Sequence, residues 1–185
     1  MLNSPDDPFI VETRAWVERV VIGLKLCPFA PAPALKGLIR YATSEAETRE
    51  ALLEDLATEL QHLVASPPEE VETTLLVHPQ VLQDFHDFND FLEIADEALR
   101  IWGLEGEIQI ASFHPQYQFA DSEPEDISNF SNRSPFPTLH LLREDDVERA
   151  VEALPDSVLL YETNIETLRR LGLDGWRRLF AAAEA

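Results

Sequence analysis

Three segments of the chain carry apolar residues at helical spacing. The clearest lies at 81–102, where apolar positions follow 4-3-4-3-4-3 spacing and Asp or Glu occupies the other faces. A second helix is predicted over 52–64, preceded by Ser44, which begins an S-x-x-E capping pattern. A first helix is predicted over 9–24, capped by Asp7 and ended by the cluster of prolines that follows it.

Between and after these helices, short segments rich in β-branched and aromatic residues predict strands. Four of them are expected to form a sheet, and a fifth could add to it: 37–44, 71–78, 107–113, 138–144 and 157–161.

The order of these elements predicts the fold class. Strand–helix–strand units favour parallel neighbours joined by right-handed crossovers. We therefore expect an α/β fold, with α+β as the alternative, built on a mixed sheet of four or five strands with packed helices. Thioredoxin-like and ferredoxin-like arrangements are close to this order, but neither matches it. A single domain is expected over 1–185, with a C-terminal helical segment at 163–183.

One long segment, 114–137, has neither helical nor strand periodicity and is rich in Asn, Ser, Pro and aromatic residues. Irregular loops of this length inside a compact domain are usually functional or disordered. Disordered segments contain few aromatic residues, whereas this one contains phenylalanines and a tyrosine. Pro135 and Pro137 also restrict its backbone. The sequence therefore predicts an ordered loop that packs on the domain and forms part of a site.

Composition restricts the partners. The net charge is −21 and the isoelectric point is about 4.4, so phosphate backbones and anionic membranes should repel the chain. No nucleic-acid or membrane partner is therefore expected. No signal-peptide pattern opens the sequence and no apolar run could span a bilayer, so we expect a cytoplasmic protein.

Two identical tripeptides, His-Pro-Gln, follow predicted strands. They place His78 and His114 at strand ends, and parallel strands would bring both histidines to one edge of the sheet. There His114 could act as a general acid or base. With His140 the two are also candidate metal ligands, although no tight ligand spacing supports a metal. The alternative is that each proline ends its strand and each histidine caps a backbone group.

Cys27 is the only cysteine, so no intrachain disulfide can form. It lies at the end of the first predicted helix, where the partial negative charge of the helix C-terminus disfavours a thiolate. Cys27 is therefore a candidate nucleophile or metal ligand only if a cation lies nearby. Otherwise it is a small buried apolar residue.

The segment 129–134 and the end of the last strand suggest an anion pocket. Polar turn residues there can bring backbone N–H groups together, and paired arginines bind carboxylates or phosphates. The candidate binding residues are Asn129, Asn132, Arg133, Ser134 and Arg143. The alternative is that Arg133 forms an internal salt bridge with one of the acidic residues at 121–126.

Several strings in the chain, among them "GEIQIASFHPQYQFA" and "SNFSNRSPFPTLHLLRE", together resemble the bacterial domain-of-unknown-function family 1415. The resemblance extends from about residue 8 to 180. It implies a cytoplasmic bacterial protein with no assigned activity, cofactor or catalytic residue.

The sequence thus favours a small enzyme or enzyme-like protein that acts on a small anionic molecule in a pocket formed by 114–137. His114 would be the acid–base group, Arg133 and Arg143 the anion anchors, and Cys27 a nucleophile. The alternative is a non-catalytic adaptor domain whose loop docks a partner through exposed phenylalanines, namely Phe119, Phe130 and Phe136. The sequence names no cofactor and no oligomeric state.

Overall fold

The structure, a computed structural model of the chain, describes residues 4–153 and 160–181. Its centre is one four-stranded sheet with the strand order β1-β2-β4-β3. The strands are β1 (Ile39–Thr43), β2 (Thr73–Val77), β3 (Ile108–Phe113) and β4 (Thr138–Arg143).

The sheet is mixed, as the sequence predicts. β1 and β2 are parallel neighbours, and the helix α3 (Arg49–Ala65) connects them. β4 lies between β2 and β3 and is antiparallel to both. β2 and β3 therefore run in the same direction without touching, and their carboxyl ends lie at the same end of the sheet. These features confirm the predicted α/β class with four strands.

One face of the sheet is covered by α3 and by α4 (Phe85–Ile101), the amphipathic helix with the clearest sequence pattern. Its buried residues Phe88 and Phe91 pack with the leucines of α3 and with Leu139 and Leu141 of β4. This apolar layer is the larger of the two cores of the protein. Its burial matters most for stability, because burial of apolar surface is the dominant favourable term in folding.

The opposite face is only partly covered. α1 (Pro8–Trp16), the π-helical turn Val17–Ile22 and α6 (Leu160–Ala181) form a second apolar cluster with one end of the sheet. α2 (Pro31–Lys36) and α5 (Glu144–Glu152) border the rest of this face, and residues of both line a cavity over the sheet.

Several local predictions are confirmed and others are corrected. The Asp7 side chain caps α1 by accepting from Phe9 N at 3.0 Å. Ser44 does not cap α3, because Thr48 does so, and the Ser44 hydroxyl donates to Asp55 instead. Gly172 interrupts α6 with a left-handed φ of 65°, at the residue where the sequence predicts a helix to end.

Of two further predictions, one is corrected and the other falls mainly on residues that the structure does not describe. The prolines after Cys27 were expected only to end a helix, yet Pro31 begins α2, because the first helical position needs no N–H. The predicted fifth strand at 157–161 falls mainly outside the described residues.

The segment 114–137 packs against the domain. It contains a 3-10 helix, Ile127–Asn132, whose Phe130 ring meets Trp176 of α6 edge-on at 4.9 Å. Phe136 meets Phe9 of α1 in the same way at 5.0 Å. Aromatic contacts at Phe130 and Phe136 therefore hold the second half of the loop against α6 and α1.

Candidate functional site

The two His-Pro pairs lie at the same end of the sheet, where β2 and β3 end. Both His78 and His114 are completely buried, and their rings lie 5.7 and 5.0 Å from the ring of Phe88. His78 Nδ1 donates to Val81 O at 3.1 Å, and His114 Nε2 donates to Leu82 O at 3.1 Å. Two consecutive carbonyls of the loop before α4 are thus each held by one histidine.

This geometry does not support the predicted acid–base role of His114. While Nε2 donates to Leu82, its other ring nitrogen, Nδ1, accepts from Gln116 N at 3.0 Å. No ring nitrogen is left to exchange a proton with a substrate. Burial lowers the pKa of His114 and lowers the pKa of His78 to about 4, so both rings are neutral at pH 7.

The polar side chains of the loop are used by the loop itself. Asn129 Oδ1 accepts from Phe119 N at 3.0 Å and from Ser122 Oγ at 2.6 Å, while its Nδ2 donates to Glu123 O at 2.8 Å. Ser134 Oγ donates to Phe136 O at 2.6 Å, and Asn132 Nδ2 donates to Ser112 O at 3.4 Å. Their predicted role in shaping an anion pocket finds no support in these contacts.

Arg133 is also a brace within the loop. Its Nε donates to Tyr117 O at 3.2 Å, its Nη2 donates to Pro124 O at 2.7 Å, and its guanidinium lies 4.3 Å from the centre of the Phe130 ring. The planar fork of arginine suits this double contact. The sequence left a choice between an anion anchor and an internal salt bridge, and the structure instead pairs Arg133 with backbone carbonyls.

Arg143 does not join Arg133, because the two lie at opposite ends of β4. Arg143 Nη2 donates to Leu63 O at 2.6 Å and to Ser66 O at 2.7 Å, which completes the C-terminus of α3. It also donates to Val71 O at 3.2 Å. The two arginines predicted as anion anchors are therefore not brought together, and each donates to carbonyls of a different segment.

A different place has the shape of a binding site. The half of the sheet left uncovered by α1 and α6 forms the floor of a cavity of about 310 Å³, with α2 and α5 along its sides. Such a volume is near the lower end of the range for small-molecule pockets, about 300–1,000 Å³. We name it the open-face cavity, and its walls include Trp16, Cys27, Phe29, Pro33, Ala111, Phe113, His140 and Ala150.

His140 lies in the middle of the floor. In the sheet it stands between Leu75 of β2 and Ala111 of β3. Its Nε2 lies 2.6 Å from Thr73 Oγ1, whose hydroxyl donates to Leu141 O at 2.7 Å. Its Nδ1 forms no hydrogen bond with any residue in 4–153 or 160–181.

Burial also determines the protonation of His140. It lowers the pKa of this imidazole to about 4, although part of the residue surface remains accessible from the cavity. The ring is therefore neutral at pH 7. A neutral histidine that is oriented by a second group can serve as a hydrogen-bond acceptor or a general base.

Other polar groups also line the cavity, among them Gln109 of β3. Cys27 is half-buried on the wall next to Phe29. Glu72, Arg143 and Asp146 also line the cavity, and burial together with the charge of Asp146 raises the pKa of Glu72. The rest of the lining is predominantly apolar.

The three candidate metal ligands are not brought together. His78 and His114 face α4, whereas His140 faces the open-face cavity on the other side of the sheet. In the part of the chain that the structure describes, no three His, Cys, Asp or Glu side chains are grouped as a metal site requires.

Comparison with known proteins assigns the chain to a family. A family model described as "Protein of unknown function (DUF1415)" matches residues 9–178. The chain belongs to this family. No curated protein and no solved structure matches it. Within residues 4–153 and 160–181, no helix combines the length and the apolar character needed to cross a membrane.

Membership in DUF1415 confirms the resemblance found in the sequence and brings no activity with it. The site therefore has to be judged by its geometry. Sequence reasoning missed Thr73 as a partner of His140. One signal was available, because strand alternation places His140 on the face opposite Leu139 and Leu141, away from the main core.

Proposed function

We propose that this protein binds a small, mainly apolar molecule in the open-face cavity and that His140 is the polar group that contacts it. The observation that carries the proposal is a neutral histidine, held by Thr73, in the floor of a predominantly apolar cavity. Ligand sites typically combine apolar walls with a few well-placed polar groups.

The site predicted in the loop 114–137 is less well supported. An anion pocket needs donors that are available to the anion, yet Arg133 and Asn129 direct their donors to loop carbonyls. Displacing such contacts would leave buried carbonyls unpaired, which costs about 1–3 kcal/mol for each. We therefore place the binding site at the open-face cavity.

The adaptor alternative required exposed phenylalanines on the loop. Phe119, Phe130 and Phe136 are each half-buried, and each packs edge-on against another aromatic ring, namely Tyr161, Trp176 and Phe9. Residues occupied in this way have little apolar surface to offer a partner, so the geometry favours a ligand pocket over a docking loop.

Catalysis is a further step within the same proposal. Cys27 and His140 line the same cavity, so His140 takes the place of His114 as the candidate acid–base group, and Cys27 remains the candidate nucleophile for a molecule bound there. In this arrangement a bound ligand would cover Cys27. Alkylation of Cys27 by iodoacetamide should therefore slow when the cavity is occupied.

The first prediction concerns occlusion of the cavity. Ala111 pairs with His140 across the sheet and its side chain lines the cavity, so Ala111→Leu should fill the space beside His140. We expect this variant to stay folded and to lose binding of small aromatic probes. The measurement is a fragment titration followed by amide NMR shifts, with the Cys27 alkylation rate as a second readout.

Two further variants make this experiment decisive. Ala150→Leu fills the cavity from α5. Loss of binding in this variant cannot result from a distortion of β3 by the substitution at Ala111. Ala120→Leu makes the same chemical change at an exposed position of the loop and should bind as wild type does. Unchanged binding in both cavity variants, or fragment shifts centred on another region, would refute the proposal.

A further inference from the structure

We propose that the ligand of the open-face cavity is a neutral molecule that donates a hydrogen bond to Nδ1 of His140, as a phenol or an alcohol would. This inference rests on the proposed function and adds the chemical class of the ligand. It departs from the small anion that the sequence favours.

The hydrogen bonds of Thr73 determine which nitrogen of His140 carries the proton. A hydroxyl has one hydrogen, and at 2.7 Å from Leu141 O that hydrogen must lie between the two oxygens, because lone pairs would otherwise repel. Thr73 Oγ1 can then only accept from His140 Nε2, at 2.6 Å. Nε2 is therefore protonated and Nδ1 carries a lone pair.

The open nitrogen is thus an acceptor, and it is accessible. Nδ1 has no hydrogen-bond partner among the described residues. The unpaired polar atoms that are fully buried do not include it, so part of the surface of Nδ1 is exposed. A ligand group beside it must therefore supply an N–H or O–H donor. A group that only accepts would leave the lone pair of Nδ1 unsatisfied, which costs free energy in an apolar site.

The charges around the cavity disfavour an anion. Arg143 is the arginine on its wall, and its Nη2 is already shared among Leu63 O, Ser66 O and Val71 O. Glu72 and Asp146 line the same cavity, and the whole chain carries a charge of −21. An anion would have to enter against this field, and the charge of Arg143 is already offset by Asp146, whose Oδ2 lies 4.0 Å from Arg143 Nε.

Three matched probes test the inference: 4-propylphenol, 4-propylanisole and 4-propylbenzoate. They share an apolar body and differ in offering a donor, only an acceptor, or a negative charge. We expect the phenol to bind about three- to tenfold more tightly than the anisole, which is the usual net effect of one hydrogen bond. The benzoate should bind more weakly than both at pH 7.5.

Variants of the floor assign this preference to His140. His140→Phe keeps an aromatic ring without Nδ1, so this variant should lose the preference for the phenol over the anisole. Thr73→Val removes the acceptor that fixes the tautomer of His140, so the phenol should bind more tightly than the anisole by a smaller factor than in wild type. The ¹⁵N shifts of the His140 ring should report a proton on Nε2 in wild type and a mixture of tautomers in Thr73→Val. His62→Gln, at an exposed histidine of α3, is the control and should change nothing.

The outcomes separate the two levels of the proposal. Equal binding of phenol and anisole, or tightest binding of the benzoate, would overturn the donor inference and leave the cavity as a binding site. A proton on Nδ1 in wild type would also overturn it. If no probe shifts the amides around the cavity, the proposed function fails and this inference fails with it.

Discussion

At the residue scale, the repeated His-Pro-Gln tripeptide has a structural explanation. His78 and His114 emerge from β2 and β3 at the same end of the sheet and bind the consecutive carbonyls of Val81 and Leu82. Leu82 has a left-handed φ of 57°, which costs free energy in a residue with a side chain. The two histidines hold this strained turn in place before α4.

His78 makes a specific prediction about pH. Its Nε2 is buried without a partner, and burial lowers the pKa of the ring from 6.5 to about 4. The unfolded chain therefore binds a proton more readily than the folded protein does, so the free energy of unfolding should fall as pH falls from 6.5 towards 4. His78 should contribute about 1.4 kcal/mol to the loss between pH 7.5 and pH 5.5.

The measurement is urea unfolding at both pH values, which stay above the isoelectric point of about 4.4. His78→Asn retains a donor near the position of Nδ1 and does not titrate, so its stability should depend less on pH than that of wild type. Its neighbours His114 and Asp84 remain in both proteins. An identical pH dependence in wild type and variant would contradict this prediction.

At the scale of elements, the long loop 114–137 behaves as an additional packing layer. Its 3-10 helix packs on α6, and its polar side chains satisfy its own backbone. Arg133 ties the start of the loop to its middle through the carbonyls of Tyr117 and Pro124. Unpaired backbone groups are the usual obstacle to burying an irregular segment, and these contacts remove it.

Arg133→Lys should loosen this segment and leave the rest of the fold intact. Lysine keeps the charge but cannot reach both carbonyls with a planar fork. We expect a local loss of about 1 kcal/mol, which corresponds to roughly fivefold faster amide exchange at Phe119 and Ser122. Hydrogen exchange measured by NMR provides the test.

A matched change elsewhere controls for the substitution itself. Arg149→Lys, on the exposed surface of α5, should leave exchange in the loop unchanged. If Arg133→Lys exchanges as wild type does, the brace is not needed for order in the loop. If it unfolds the whole protein, the loop is part of the global core.

At the scale of the whole molecule, the dominant property is the charge of −21. Arg40 and Glu59 form a partly buried pair, whereas most other ion pairs of the described residues lie on the surface and contribute little. Most of the acidic charge therefore repels itself across the surface, which destabilises a compact state.

Salt should therefore stabilise the protein. The screening length falls from about 30 Å at 0.01 M to about 3 Å at 1 M, which removes most of the long-range repulsion. We expect the melting temperature to rise between 0.02 and 0.5 M sodium chloride, with the midpoint followed by circular dichroism.

Neutralising two exposed acids of α4, with Asp90→Asn and Glu93→Gln, should raise the melting temperature at low salt and reduce the response to salt. A melting temperature that falls with salt would show that specific ion pairs outweigh the repulsion.

The sequence alone determined the features that depend on neighbours along the chain. The period of 81–102 predicted the amphipathic helix α4, although this helix begins only at Phe85, after its cap Asp84. Asp7 predicted the start of α1, and strand alternation assigned His140 to the face opposite Leu139 and Leu141. The order of elements also predicted the mixed sheet and the shared edge of the two His-Pro pairs. Each of these follows from periodicity or from local hydrogen bonding.

Only the tertiary structure decided what each polar side chain binds. Arg143 meets Leu63 across 80 residues of sequence, and His140 meets Thr73 across 67. A polar group can bind whichever carbonyl or hydroxyl the fold brings within about 3 Å, and residue type does not reveal that partner. For this reason the sequence predicted a site among the arginines and asparagines of the loop. In the folded protein those side chains bind backbone groups. His140 Nδ1, in the floor of the cavity, has no partner among the described residues.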